Sequence, residues 1–62
     1  MNVKLKMKIL ESGKRQIRFA QETGIPESYL SKIVNGWVEP KMEMKQKIAK
    51  ALGCRIADIF EG

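Results

Sequence analysis

The stretch QIRFAQETGIPESYLSKIVNG, residues 16–36, decides how this chain folds. It divides into two short helical segments around Gly24. In the first, residues 16–22, Phe19 and Ala20 mark a buried side that Ile17 can join. Thr23 and Gly24 end it. Ile25 leads into Pro26, which suits the first position of the next helix, residues 26–34, because its ring pre-sets φ and its missing N–H is not needed there. Glu27 then falls in the first turn, where negative charge complements the helix dipole. Leu30, Ile33 and Val34 recur at the i, i+3, i+4 spacing of one buried face. Asn35 and Gly36 stop the segment. Helices that pack across so short a turn need a small residue at their closest approach, and Ala20 supplies it. The turn calls for positive φ, which glycine adopts without strain. Residues 16–35 therefore read as a helix-turn-helix, closed underneath by Phe19, Ile25, Leu30 and Ile33.

The rest of the chain supports the same architecture. The alternating run Val3 to Lys8 could mimic an edge strand, but it flows into Ile9-Leu10 with no turn signal. A helix over residues 5–12, stopped by Gly13, accounts for it better. Residues 37–40 form a loop. A fourth helix over residues 41–52 places Met44, Ile48 and Leu52 on one face with Ala51 beside them, and Gly53 caps it. A last short helix holds Ile56, Ile59 and Phe60. The expectation is an all-α fold, a compact five-helix bundle, and one domain over residues 1–62 with no room for a second. So small a chain buries little surface, so its core must be efficient or completed by a partner.

Composition narrows the function. The formal charge is +5 and the isoelectric point is about 9.7, in the range of polyanion binders. Residues 1–18 carry +5, residues 19–40 carry −2 and residues 41–62 carry +2. Lys4, Lys6 and Lys8 are read as mainly solvated, adding to a general attraction for phosphate. There is no histidine, and the one cysteine, Cys54, can form neither an intrachain disulfide nor a metal site. Cys54 is expected to be buried and inert, and the four methionines to fill the core. No paired acids and no glycine-rich phosphate loop are present. The chain is therefore read as no enzyme, with no cofactor, no metal and no small-molecule ligand. No apolar run is long enough to cross a membrane, and a cytoplasmic setting is expected.

The outward face of the second helix of the pair carries Glu27, Ser28, Ser31 and Lys32, with no apolar member. A helix of this kind fits the major groove of DNA, where residues near its N-terminus reach base edges. Glu27 has two readings, acceptance from cytosine N4 or plain support of the helix start. Trp37 also has two: packing on Pro40 and the fourth helix, or contact with DNA backbone or a second copy.

With these segments in place, the chain resembles the Xre/Cro-type, lambda-repressor-like helix-turn-helix domains of phage repressors and small bacterial regulators. The resemblance rests on residues 16–36, Glu39-Pro40, KIAKALG at residues 47–53 and DIF at residues 58–60. It covers nearly the whole chain. It implies a transcriptional regulator, typically a repressor, that binds a palindromic double-stranded DNA operator as a homodimer in a prokaryotic or phage setting. By position it implies base contacts from Glu27, Ser28, Ser31 and Lys32. Phosphate contacts are implied for Gln16, Asn35, Trp37 and Lys41, and Gln16 can also brace the recognition helix. Ile59 and Phe60 are core or dimer contact. The chain departs from the family pattern at several positions. Lys14 and Thr23 replace apolar residues, and Arg15 and Arg55 replace Ser or Thr caps, each worth about 1 kcal/mol. Arg15 and Arg18 exchange capping for phosphate contact in this reading. The alternative functions are an antitoxin-like or accessory protein-interaction module on the same fold, and a non-specific nucleic-acid binder.

Overall fold

Each helix starts and stops where neighbouring groups satisfy its open backbone ends. The computed structural model describes residues 1–60; Glu61 and Gly62 lie outside the described residues. Five helices follow in order: α1 Val3–Glu11, α2 Gln16–Thr23, α3 Glu27–Val34, α4 Met42–Leu52 and α5 Ile56–Ile59. α1 begins two residues earlier than its hydrophobic spacing indicated. Its cause is Asn2, whose side-chain oxygen accepts from Leu5 N at 3.0 Å as an N-cap. α2 extends through Thr23, whose hydroxyl donates to the Phe19 carbonyl at 2.9 Å.

Pro26 is the N-cap of α3 rather than its first residue, with φ −55° and ψ 134°, and Lys41 likewise caps α4 from outside. Neither provides a side-chain acceptor, and Arg15 provides none for α2. α5 is held at its start from within. Asp58 accepts the Arg55 backbone N–H at 3.0 Å. The Arg55 guanidinium, which has no acceptor to return the bond, instead lies 3.6 Å from the same carboxylate. That backbone hydrogen bond is the main cause that holds the Asp58 carboxyl below its ordinary pKa. Phe60 lies past the end of α5 in extended conformation.

Gly24 has φ +74°. Its N–H donates to Gln21 O at 3.4 Å and the Ile25 N–H to Ala20 O at 3.1 Å, the paired bonds of a Schellman close. A Cβ at Gly24 would meet only the Lys47 ammonium, 3.9 Å away. Conformation, not space, sets the need for glycine here.

The core comprises Leu5, Ile9, Phe19, Ala20, Ile25, Leu30, Ile33, Val34, Ile48, Ala49, Ile59 and Phe60. Each fully buried large side chain contributes about 1.5–3 kcal/mol. α2 packs on α3, α1 bridges α2, α3 and α5, and α4 closes against α2 and α5. Several expected core positions lie elsewhere. Ile17 is exposed, because residues two apart point to nearly opposite sides of a helix. On α4, Ala49 is buried and Ala51 is exposed. Met1, Met7 and Met42 are exposed, and Met44 alone of the four methionines packs against the core. Cys54 is half-buried rather than buried, and partial burial pushes its thiol pKa up.

The N-terminus is tied in by a link that no local pattern signals. The Asn2 N–H donates to Val34 O at 2.7 Å, and the Asn2 side-chain amide donates to Ile59 O at 2.7 Å. One residue thereby joins α1 to the ends of α3 and α5.

Candidate nucleic-acid interface

The outward face of α3 follows from what its inward face must do. Leu30, Ile33 and Val34 are buried, so Glu27, Ser28 and Lys32 are turned to solvent, with Ser31 half-buried beside them. Tyr29 packs partly against the core and does not join this face. The exposed set therefore has one carboxylate, hydroxyls and one ammonium on a helix of 8 residues, about 12 Å long.

Gln16 reaches this face from α2. Its side-chain amide donates to the Glu27 carboxylate at 3.4 Å. The bracing role implied for Gln16 thus has a geometric counterpart, and its partner is the charged residue at the head of α3. The bond is long and exposed, so it orients the carboxylate more than it stabilises the fold.

At the other end of α3, Asn35 turns inward. Its side-chain amide donates to Ser31 O at 2.9 Å and lies 3.4 Å from the Ser31 hydroxyl. Asn35 and Ser31 form one unit that closes the last turn. Trp37 follows Gly36, and its N–H donates to Lys32 O at 2.9 Å. Its side chain is 75% exposed, so the reading that packs it on Pro40 and the fourth helix is corrected. Pro40 itself is buried. The turn after α3 thus presents a large aromatic surface to solvent, with Lys41 exposed further along.

The cations near α2 divide into two kinds. Arg15 is exposed at its start. Arg18 and Lys14 are both engaged by Glu22: Arg18 at 3.0 Å, and Lys14 by a shorter contact. The Lys14 hydrogen bond, then that from Arg18, pull the Glu22 carboxyl below its ordinary 4.5. Lys14, which stands where an apolar residue was expected, is thereby accommodated as an ion-pair partner. Lys47, to which sequence reasoning gave no role, extends from α4 towards the Gly24 turn. Only its position in the fold reveals this, since it lies 23 residues beyond Gly24 in sequence.

Ile59 and Phe60 are 1% and 8% exposed, so a contact through them would require opening the core. Phe60 also lies under the Lys45 ammonium, 5.5 Å from the ring centroid. Among the described residues no group of acids and cysteine is arranged to hold a metal ion, and no helix is long and apolar enough to cross a membrane.

Comparison with known proteins agrees with this geometry. A family model described as "Helix-turn-helix" matches residues 5–59. No curated protein and no solved structure matches the chain.

Proposed function

Because the chain belongs to the helix-turn-helix family of Xre/lambda repressor-type DNA-binding domains, we propose that it is a sequence-specific transcriptional repressor that inserts α3 into the major groove. Glu27, Ser28, Ser31 and Lys32 face the bases in this reading. Lys32 donates to guanine or to another base acceptor, and Glu27, steered by Gln16, accepts from cytosine. Arg15, Gln16, Arg18, Trp37 and Lys41 follow the phosphates on either side, while Asn35, whose side-chain amide is held by Ser31 O, shapes the turn between α3 and Trp37. Arg18 exchanges its contact with Glu22 for phosphate as it does so. Binding would occlude a promoter in the cytoplasm.

The observation that carries the reading is the exposed polar face of α3, with its leading carboxylate hydrogen-bonded across the turn to α2. In this reading the operator is a palindrome bound by two copies. The described residues extend 27 Å at most, so half-sites about 34 Å apart would each take one copy. Selection from a random duplex pool tests this. The expected product is a palindrome with half-sites about 10 base pairs apart; a pool that enriches no sequence contradicts it.

A further inference from the structure

Lys45 stands where the helical pattern of α4 calls for an apolar side chain. It precedes Ile48, Ala49 and Leu52 by three, four and seven residues, so it shares the stripe that those residues turn inward. Its side chain is 17% exposed, whereas the other cations of the described ion pairs are 39% or more exposed. A lysine so placed buries its stem and brings its ammonium to the rim of the core. There it meets two groups from outside α4. It pairs with the Glu39 carboxylate, in the loop before the helix, and it lies 5.5 Å from the centroid of the Phe60 ring, past the end of α5.

Stability does not account for this lysine. The Glu39 side chain is 78% exposed, and an ion pair so open to water adds little to the fold. An apolar residue on the same stripe would serve the core at least as well. What the pair does supply is a fixed point within residues 37–41. The Gly36 N–H, bonded to Ile33 O, holds one end of that loop to α3, and the buried Pro40 holds the other. Between them, Glu39 is tied by its side chain to α4. Trp37 and Lys41 project from the same loop into solvent.

We propose that Lys45 is a positioning residue for DNA binding: through Glu39 it holds residues 37–41 in the conformation in which Trp37 and Lys41 meet the phosphates. It does so without touching DNA. The proposal rests on the reading that sets this loop along the DNA backbone, and it is independent of which bases α3 reads.

The test uses the intact chain carrying Lys45→Met together with Glu39→Gln. The double variant removes the pair at unchanged net charge, so any change in DNA binding is not a change in overall attraction. Its melting temperature should equal or exceed that of the native chain. The ¹⁵N heteronuclear NOE values of residues 37–41 should fall, while those of α3 stay as they were. Affinity for a mixed-sequence duplex, at one fixed salt concentration, should drop about two- to fivefold; a mixed sequence suffices because phosphate contacts carry no sequence information. A lower melting temperature would make Lys45 a packing residue and overturn the proposal. So would unchanged NOE values in the loop. Trp37→Ala, also neutral in charge, tells the two readings apart. If Trp37→Ala weakens binding and the double variant does not, the loop meets DNA without help from Lys45 and the proposal alone fails. If neither weakens binding, the loop lies off the DNA and the reading beneath the proposal fails with it.

Discussion

Glu27 and Lys32 give the exposed face of α3 almost no net charge, so if that face reads bases as proposed, single residues there should change discrimination more than affinity. Glu27→Gln keeps an acceptor for Gln16 while removing the negative charge. Random-sequence DNA should then bind a few-fold more tightly, and preference at one base pair should relax; fluorescence anisotropy on cognate and random duplexes measures both. Glu22 belongs to a different effect. Its folded pKa lies below the ordinary 4.5, so the folded state holds the carboxylate charged to lower pH than the unfolded state does. The stabilisation is therefore present at neutral pH and is lost as pH falls below 4.5 through the lowered value. Glu22→Gln should flatten the acid limb of thermal stability against pH and leave the neutral-to-alkaline limb in shape unchanged. An unaltered acid limb would mean that the Lys14 and Arg18 contacts carry no net stabilisation.

At the scale of the element, the turn and the caps decide most. Gly24→Ala forces a Cβ into φ +74°, which costs about 1–2 kcal/mol, with no clash to add because only the Lys47 ammonium is near. Urea unfolding should show that loss with a normal slope. Loss of cooperativity would mean that the turn does more than set a backbone angle. Asn2→Ala removes an N-cap and the bridge to Ile59 together, and about 1–2 kcal/mol should go with them. The contrast between these residues is also a contrast in legibility. Gly24, Ala20 and the stripe of Leu30, Ile33 and Val34 could be read because their reasons are local: a turn angle and a helical period. Asn2 could not, because its partner Ile59 lies 57 residues away. Pro26 and Lys41 were placed one residue inside their helices because sequence alone cannot separate the cap from the first turn. The exposure of Ile17, Met7 and Leu10 was obscured for another reason. Apolar residues on both sides of a short helix leave the period intact but do not say which side is covered.

For the whole molecule, stability is narrow. A chain of this length has about 3–9 kcal/mol in hand at ordinary per-residue stability, and a large-to-small change in a packed core costs about 2–5 kcal/mol. Ile48→Ala, at a fully buried position on α4, should therefore leave a substantially unfolded population at physiological temperature, visible by circular dichroism, and cognate DNA should restore part of the folded signal by mass action. The division of labour in the proposed complex is also a property of the whole. Most of the positive charge lies outside α3, so affinity for phosphate and discrimination among bases come from different parts of the chain. Lys32 and Arg15 separate the two most directly. The decisive measurement compares Lys32→Ala and Arg15→Ala on cognate and random duplexes at one fixed salt concentration. Lys32→Ala should lose about 1–3 kcal/mol on cognate DNA and much less on random DNA, with one base position relaxed, whereas Arg15→Ala should weaken both by a similar factor. If both variants weaken cognate and random DNA equally, α3 does not read the bases as described.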